Sequence, residues 1–121
     1  METTLSDPQL SIIVPCYNER ENLRRGVLDE MQSYLANLDM TYEVIVSDDG
    51  STDDSADLVR QHTVDKPLFR LQKNEHGGKP IAVWHGIQAA RGQIVLFTDM
   101  DQSTPLDQWD RLRPLFDQGC D

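Results

Sequence analysis

The sequence predicts an α/β fold, a mainly parallel sheet carrying helices on both faces. Apolar runs recur at Leu10 to Pro15, Tyr42 to Ser47, Leu68 to Gln72 and Ile94 to Thr98. Three of them are rich in Ile and Val with little alternation, as strands buried on both faces are. Helical patterns lie between the runs, and such alternation pairs strands in parallel through right-handed crossovers.

Each helix carries its own signal. Asn18 is placed to cap a first helix with Glu21 reaching back in a box-like arrangement. Leu23, Val27, Met31, Leu35 and Leu38 then share one face, with Gly26 inside the helix at a cost of about 1 kcal/mol relative to Ala. Ser51 is a candidate cap for a short helix bearing Ala56 and Val59. Pro80 suits a first helical turn, with Ile81, Trp84 and Gln88 following at helical spacing. Thr104, Pro105 and Asp107 form another start, followed by Leu106, Trp109 and Leu112, with Pro114 ending or kinking that helix. Residues 1–9 read as a flexible N-terminus and Asp117 to Asp121 as a loop.

The 121 residues suffice for one domain with a single core. The formal net charge of -10 argues against a nucleic-acid partner, which needs clustered Lys and Arg. It leaves room for a small phosphorylated ligand at a local site. Acids concentrate in Ser47 to Asp57, where five aspartates fall. Cys16 and Cys120 lack metal-ligand spacing and read as free thiols in a reducing compartment. The first ten residues lack the apolar stretch of a signal peptide. The longest strongly apolar run, Ile94 to Phe97, is too short to cross a bilayer.

In open parallel sheets, ligands bind beyond the carboxyl ends of the strands. Three unusual clusters sit at such ends: Pro15 to Glu19, Ser47 to Ser51, and Asp99-Met100-Asp101. Two apart in an extended segment, Asp99 and Asp101 point the same way and repel unless a cation or buried donors intervene. Mg²⁺ or Mn²⁺ is often held by one or two carboxylates plus substrate phosphates. A helix-cap aspartate beside a surface aspartate gives the same spacing. A calcium loop does not fit, since no Gly follows at the sixth position and no Glu at the twelfth. Asp48 and Asp49 precede Gly50, which permits a tight turn and close ligand approach. A carboxylate there accepts hydrogen bonds from a ribose or a base; an ordinary Asp-Gly turn is the plainer alternative. Asn74 to Lys79, with Gly77-Gly78, offers backbone N–H groups and a lysine to a diphosphate. It lacks the residues of a Walker loop, and no dinucleotide fingerprint follows the first strand. His62, His76 and His85 lack metal-site spacing, and surface or core roles suffice for them.

On these residues the chain resembles the inverting glycosyltransferases of family 2, with their Rossmann-like A-type fold. The matching segments are Ile12 to Glu19, Val46 to Asp53, Asn74 to Gly86 with Gly77, Ala82 and Gly86, and Asp99-Met100-Asp101. The likeness starts at about Leu10. The stretch from Ala90 to Pro105 is most similar to polyprenyl- and dolichyl-phosphate sugar synthases.

The resemblance implies that Pro15, Tyr17 and Glu19 line a nucleotide pocket. Asp48 would contact base or ribose, with Gly50 allowing close approach. Asp99 and Asp101 would engage ribose, diphosphate and a Mg²⁺ or Mn²⁺ ion, and Lys79 the diphosphate. Three positions depart from the family pattern: Met100 and Pro80 replace smaller residues, and Ser103 stands where some lipid-linked members use a metal-binding Gln. The family's acidic general base falls later than Asp121, so no catalytic residue is assigned.

The expected architecture is therefore four strands in order 3-2-1-4, a truncated A-type domain whose acceptor half is missing. The expected donor is a UDP- or GDP-sugar and the acceptor a polyprenyl or dolichyl phosphate. The expected location is the cytoplasm or the cytoplasmic face of a membrane, with any membrane association coming from the missing C-terminal part. Self-association through the sheet edge is also expected. Competing readings are a polysaccharide or glycan transferase of the same family and a non-catalytic nucleotide-sugar-binding or regulatory module. A nucleotidyltransferase ranks third, because its Gly-rich basic loop is missing.

Overall fold

The computed structural model describes residues 7–100, 111, 113 and 114. Four parallel strands, β1 (Leu10–Cys16), β2 (Tyr42–Asp48), β3 (Phe69–Lys73) and β4 (Ile94–Phe97), form a sheet in the order β3-β2-β1-β4. This is the expected order. The central pair earns its place by composition: β1 is buried throughout and β2 from Glu43 onward. On one face Leu10, Ile12, Val14, Val44 and Val46 meet Val27, Met31, Leu35 and Val59 from the helices. The other face carries Ile13, Ile45 and Ser47 toward α4 (Lys79–Ala89).

The first helical segment is two helices, α1 (Arg20–Arg24) and α2 (Val27–Ala36). Gly26 sits between them at φ 88°, a left-handed conformation that starts α2 and interrupts the run. The apolar face still holds: Val27, Met31 and Leu35 are buried, and Leu23 and Leu38 pack against the core. Asn18 and Ser51 are not helix caps. The residue preceding α1 is Glu19, the residue preceding α3 (Ser55–Thr63) is Asp54, and neither contributes a capping side chain.

In α4 the packed face is the small one. Ala82 and Gly86 are buried, whereas Ile81 and Trp84 are exposed. A methyl group on Gly86 would collide with Ile13, so glycine lets the helix lie directly on β1. Pro80 occupies the first turn as expected. Pro8 and Gln9, within the stretch expected to be flexible, are tied down: Pro8 accepts from the Gln93 amide at 3.3 Å, and the Gln9 side chain accepts from the Thr41 amide at 3.0 Å. Arg111, Arg113 and Pro114 are helical. Asp101, Ser103, the helix start at Thr104 and the final loop with Cys120 lie outside the described residues.

At the amino end of the sheet a buried carboxylate joins the layers. Glu43 accepts from the Ser11 hydroxyl at 2.6 Å, the Arg91 amide at 2.7 Å and Arg70 at 3.1 Å. Gly92 N–H closes the set by donating to Ser11 Oγ at 2.7 Å. Burial pushes the Glu43 carboxyl up, but the bonds from Ser11, Arg91 and Arg70 outweigh it and leave the group below its ordinary value.

Candidate functional site

Parallel register brings the strand tips together. Cys16 lies opposite Asp48 and Asp48 opposite Lys73, while the Thr98 amide after β4 bonds to Ile13 O at 3.0 Å. The loops beyond these tips enclose a cavity of about 430 Å³.

The loop after β1 is set by Asn18, whose φ of 53° is a conformation that asparagine tolerates better than most side chains. Its side-chain oxygen accepts from the Thr52 amide at 2.8 Å and the Asp53 amide at 3.2 Å, and its own amide donates to Ser51 Oγ at 2.9 Å. Asn18 therefore ties the first loop to the second. Ser51 donates through N–H and hydroxyl to the Asp48 carboxylate, at 3.0 and 2.6 Å.

The two adjacent aspartates divide their work. Asp48 is 1% exposed, is engaged by Ser51 and does not line the cavity. Asp49 does line it, and its carboxylate accepts from the Gly77 amide at 2.8 Å and the Gly78 amide at 3.0 Å. Those two N–H groups, offered by the sequence as diphosphate donors, are thus occupied by Asp49. Gly50 has φ 73°, and a Cβ there would come within 2.8 Å of the His76 backbone nitrogen. Its close approach is to the 74–79 loop.

Pro15, Tyr17, Glu19, Lys79 and Asp99 all line the cavity, whereas Asp48 and Gly50 do not. Lys79, the first residue of α4, forms an ion pair with Asp99, the side chains being 56% and 24% exposed. The Asp99 carboxylate is a hard oxygen donor facing the cavity, which suits a Mg²⁺ or Mn²⁺ ion completed by phosphate oxygens. Among the described residues no group of three metal-ligating side chains is assembled, and Asp101 lies outside them. Met100, 1% exposed, turns into the core and forms part of the cavity wall.

His76 is a cavity residue that spacing did not reveal. Its ring lies 4.7 Å from that of Tyr17 at 33°, and Nδ1 is 3.0 Å from the Asp49 carboxylate. The signal available was its position in a strand-end loop beside two glycines. Glu43 was missed too, although a lone acid in an apolar strand already asks for buried donors. Cys16 is a free thiol on the cavity wall. Burial, then the Asp48 and Glu19 charges, push it up to about 12, so it stays protonated and unreactive at neutral pH. No helix among the described residues is long and apolar enough to cross a membrane.

Known proteins resemble this chain in sequence and in fold. The chain is 32% identical over 114 residues to an undecaprenyl-phosphate 4-deoxy-4-formamido-L-arabinose transferase of Pseudomonas syringae pv. syringae (strain B728a), covering 93% of this chain and 34% of that protein. It is 35% identical over 116 residues to a dolichyl-phosphate beta-glucosyltransferase of Dictyostelium discoideum, covering 88% and 35%. The chain spans about a third of the length of these relatives. Among solved structures, a mannosyltransferase from Pyrobaculum calidifontis in complex with GDP-Man and Mn²⁺ superposes with a TM-score of 0.65 at 30% identity, covering 85% of this chain and 30% of that one. Glucosyl-3-phosphoglycerate synthase from Mycobacterium tuberculosis, in complex with Mn²⁺ and UDP, gives 0.65 at 25% identity, covering 89% and 39%. The sequence model of glycosyl transferase family 2 matches residues 11–121, and the chain belongs to that family.

Proposed function

We propose that this chain forms the donor half of an inverting transferase that moves a sugar from a UDP- or GDP-sugar to a polyprenyl phosphate with Mg²⁺ or Mn²⁺. The observation that carries the reading is the meeting of four strand-end loops around one cavity, with an ion-paired lysine and aspartate on its lining. Tyr17 and His76 offer aromatic surface suited to a base, and Lys79 a cation suited to a diphosphate. Asp99, with Asp101, would hold the ion, which when bound stabilises charge on the departing diphosphate. The acceptor's general base comes from sequence following Asp121, as direct displacement needs a base on the opposite side of the sugar. The relatives, named for undecaprenyl and dolichyl phosphates, support the lipid acceptor.

Titration calorimetry with UDP, GDP and ATP, with Mn²⁺ or with EDTA, tests the reading. UDP or GDP should bind more tightly than ATP, and only with the ion. Equal binding in EDTA removes the metal from the reading, and tighter ATP binding removes the donor class.

A further inference from the structure

The Lys79–Asp99 ion pair forms on the cavity lining, and the backbone of each partner is held. Lys79 opens α4, which is pressed onto β1 through Ala82 and Gly86. The loop before it is clamped by Asp49 through the Gly77 and Gly78 amides. Asp99 follows β4, fixed to β1 at Thr98 and anchored on the other side by buried Met100. The backbone on both sides is held, so what remains free to rearrange is the long, half-exposed lysine side chain.

We propose that Lys79 is an internal stand-in for the divalent cation, paired with Asp99 in the ligand-free protein and exchanged for the metal when nucleotide enters. The inference rests on the donor reading above. A metal ion and an ammonium compete for the same carboxylate and repel each other across it. A diphosphate relieves that conflict, because it supplies the lysine with new anionic acceptors while its oxygens complete the metal's shell. Metal alone therefore binds weakly, nucleotide and metal bind together, and each raises the affinity for the other.

The test measures free Mn²⁺ by electron paramagnetic resonance during titration of the 121-residue chain, with and without UDP or GDP. Lys79→Met should bind Mn²⁺ alone roughly tenfold more tightly than the unaltered chain, since a competing charge is gone. The same variant should bind the nucleotide roughly tenfold more weakly at saturating Mn²⁺. Lys79→Arg should keep Mn²⁺ alone weak, and adding Asp99→Asn to Lys79→Met should abolish the gain. Lys79→Gln repeats the neutral case should the methionine variant be poorly folded by circular dichroism. A neutral variant that is folded yet binds Mn²⁺ alone no better than the unaltered chain overturns the exchange. Failure of the donor reading looks different: no chain, altered or not, then binds UDP or GDP in a Mn²⁺-dependent way, and the exchange falls with it.

Discussion

At the amino end of the sheet Glu43 is buried and accepts from a hydroxyl on β1, the backbone amide of Arg91 and the half-exposed guanidinium of Arg70 from β3. At the carboxyl end Asp99 is partly open and is met by the tip of a flexible lysine. Asp48 and Asp49 stand between these extremes, placed at the carboxyl end yet satisfied by neighbouring loops. The difference teaches how to sort acids in an acidic chain. A carboxylate buried against a short hydroxyl and a backbone amide holds the fold even when arginines also reach it, whereas a partly open one on a cavity wall is placed for a ligand.

The comparison is broken most forcefully at Glu43. Glu43→Ala strips the acceptor from the Ser11 hydroxyl and the Arg91 amide and should cost about 3 kcal/mol in urea unfolding. Asp49→Ala should cost less, about 1–2 kcal/mol, since the glycine amides it frees sit in a loop that water can enter. It should nevertheless weaken UDP or GDP binding, because the loop that carries Lys79 is no longer fixed, and calorimetry on the folded variant checks this. An acid titration sharpens the contrast further. The Glu43 carboxyl lies below its ordinary 4.5 in the fold, so its contribution is present above that pH and is lost as pH falls through the lower folded value. Stability measured from pH 6 to pH 3 should fall less steeply in Glu43→Gln than in the unaltered chain. The smallest effect belongs to Asp99→Ala, which removes an ion pair with an exposed lysine from a partly open carboxylate and should change stability by about 1 kcal/mol or less while abolishing Mn²⁺-dependent nucleotide binding. A large loss of stability there would place Asp99 with Glu43.

Strand content and order were legible because β1 and β2 are runs of Ile and Val buried on both faces; β4, expected to be buried on both faces as well, instead leaves Val95 and Phe97 exposed. The face of the α1–α2 region was legible for the same reason. Its continuity was not, since a glycine inside a helix and one between two helices read alike until φ is known. Asn18 and Ser51 carry capping chemistry, but their side chains found partners at the strand tips, and no local pattern reports a bond such as that from Thr52 to Asn18 across 34 residues. The packed face of α4 was hidden because close approach selects Ala82 and Gly86, whereas pattern reading follows large apolar residues. At the site, the loops were legible from their residue types. Which of two adjacent aspartates turns toward the cavity depends on the direction of one turn, and composition is silent on that.

Asn18 has a consequence for how the cavity breathes. Its amide and its side-chain oxygen bond the first loop to three successive residues of the second, Ser51, Thr52 and Asp53. Neither loop can peel away without breaking the other's bonds. The two therefore form one unit of local unfolding, in which the Asn18, Thr52 and Asp53 amides share a single opening free energy and exchange with solvent together.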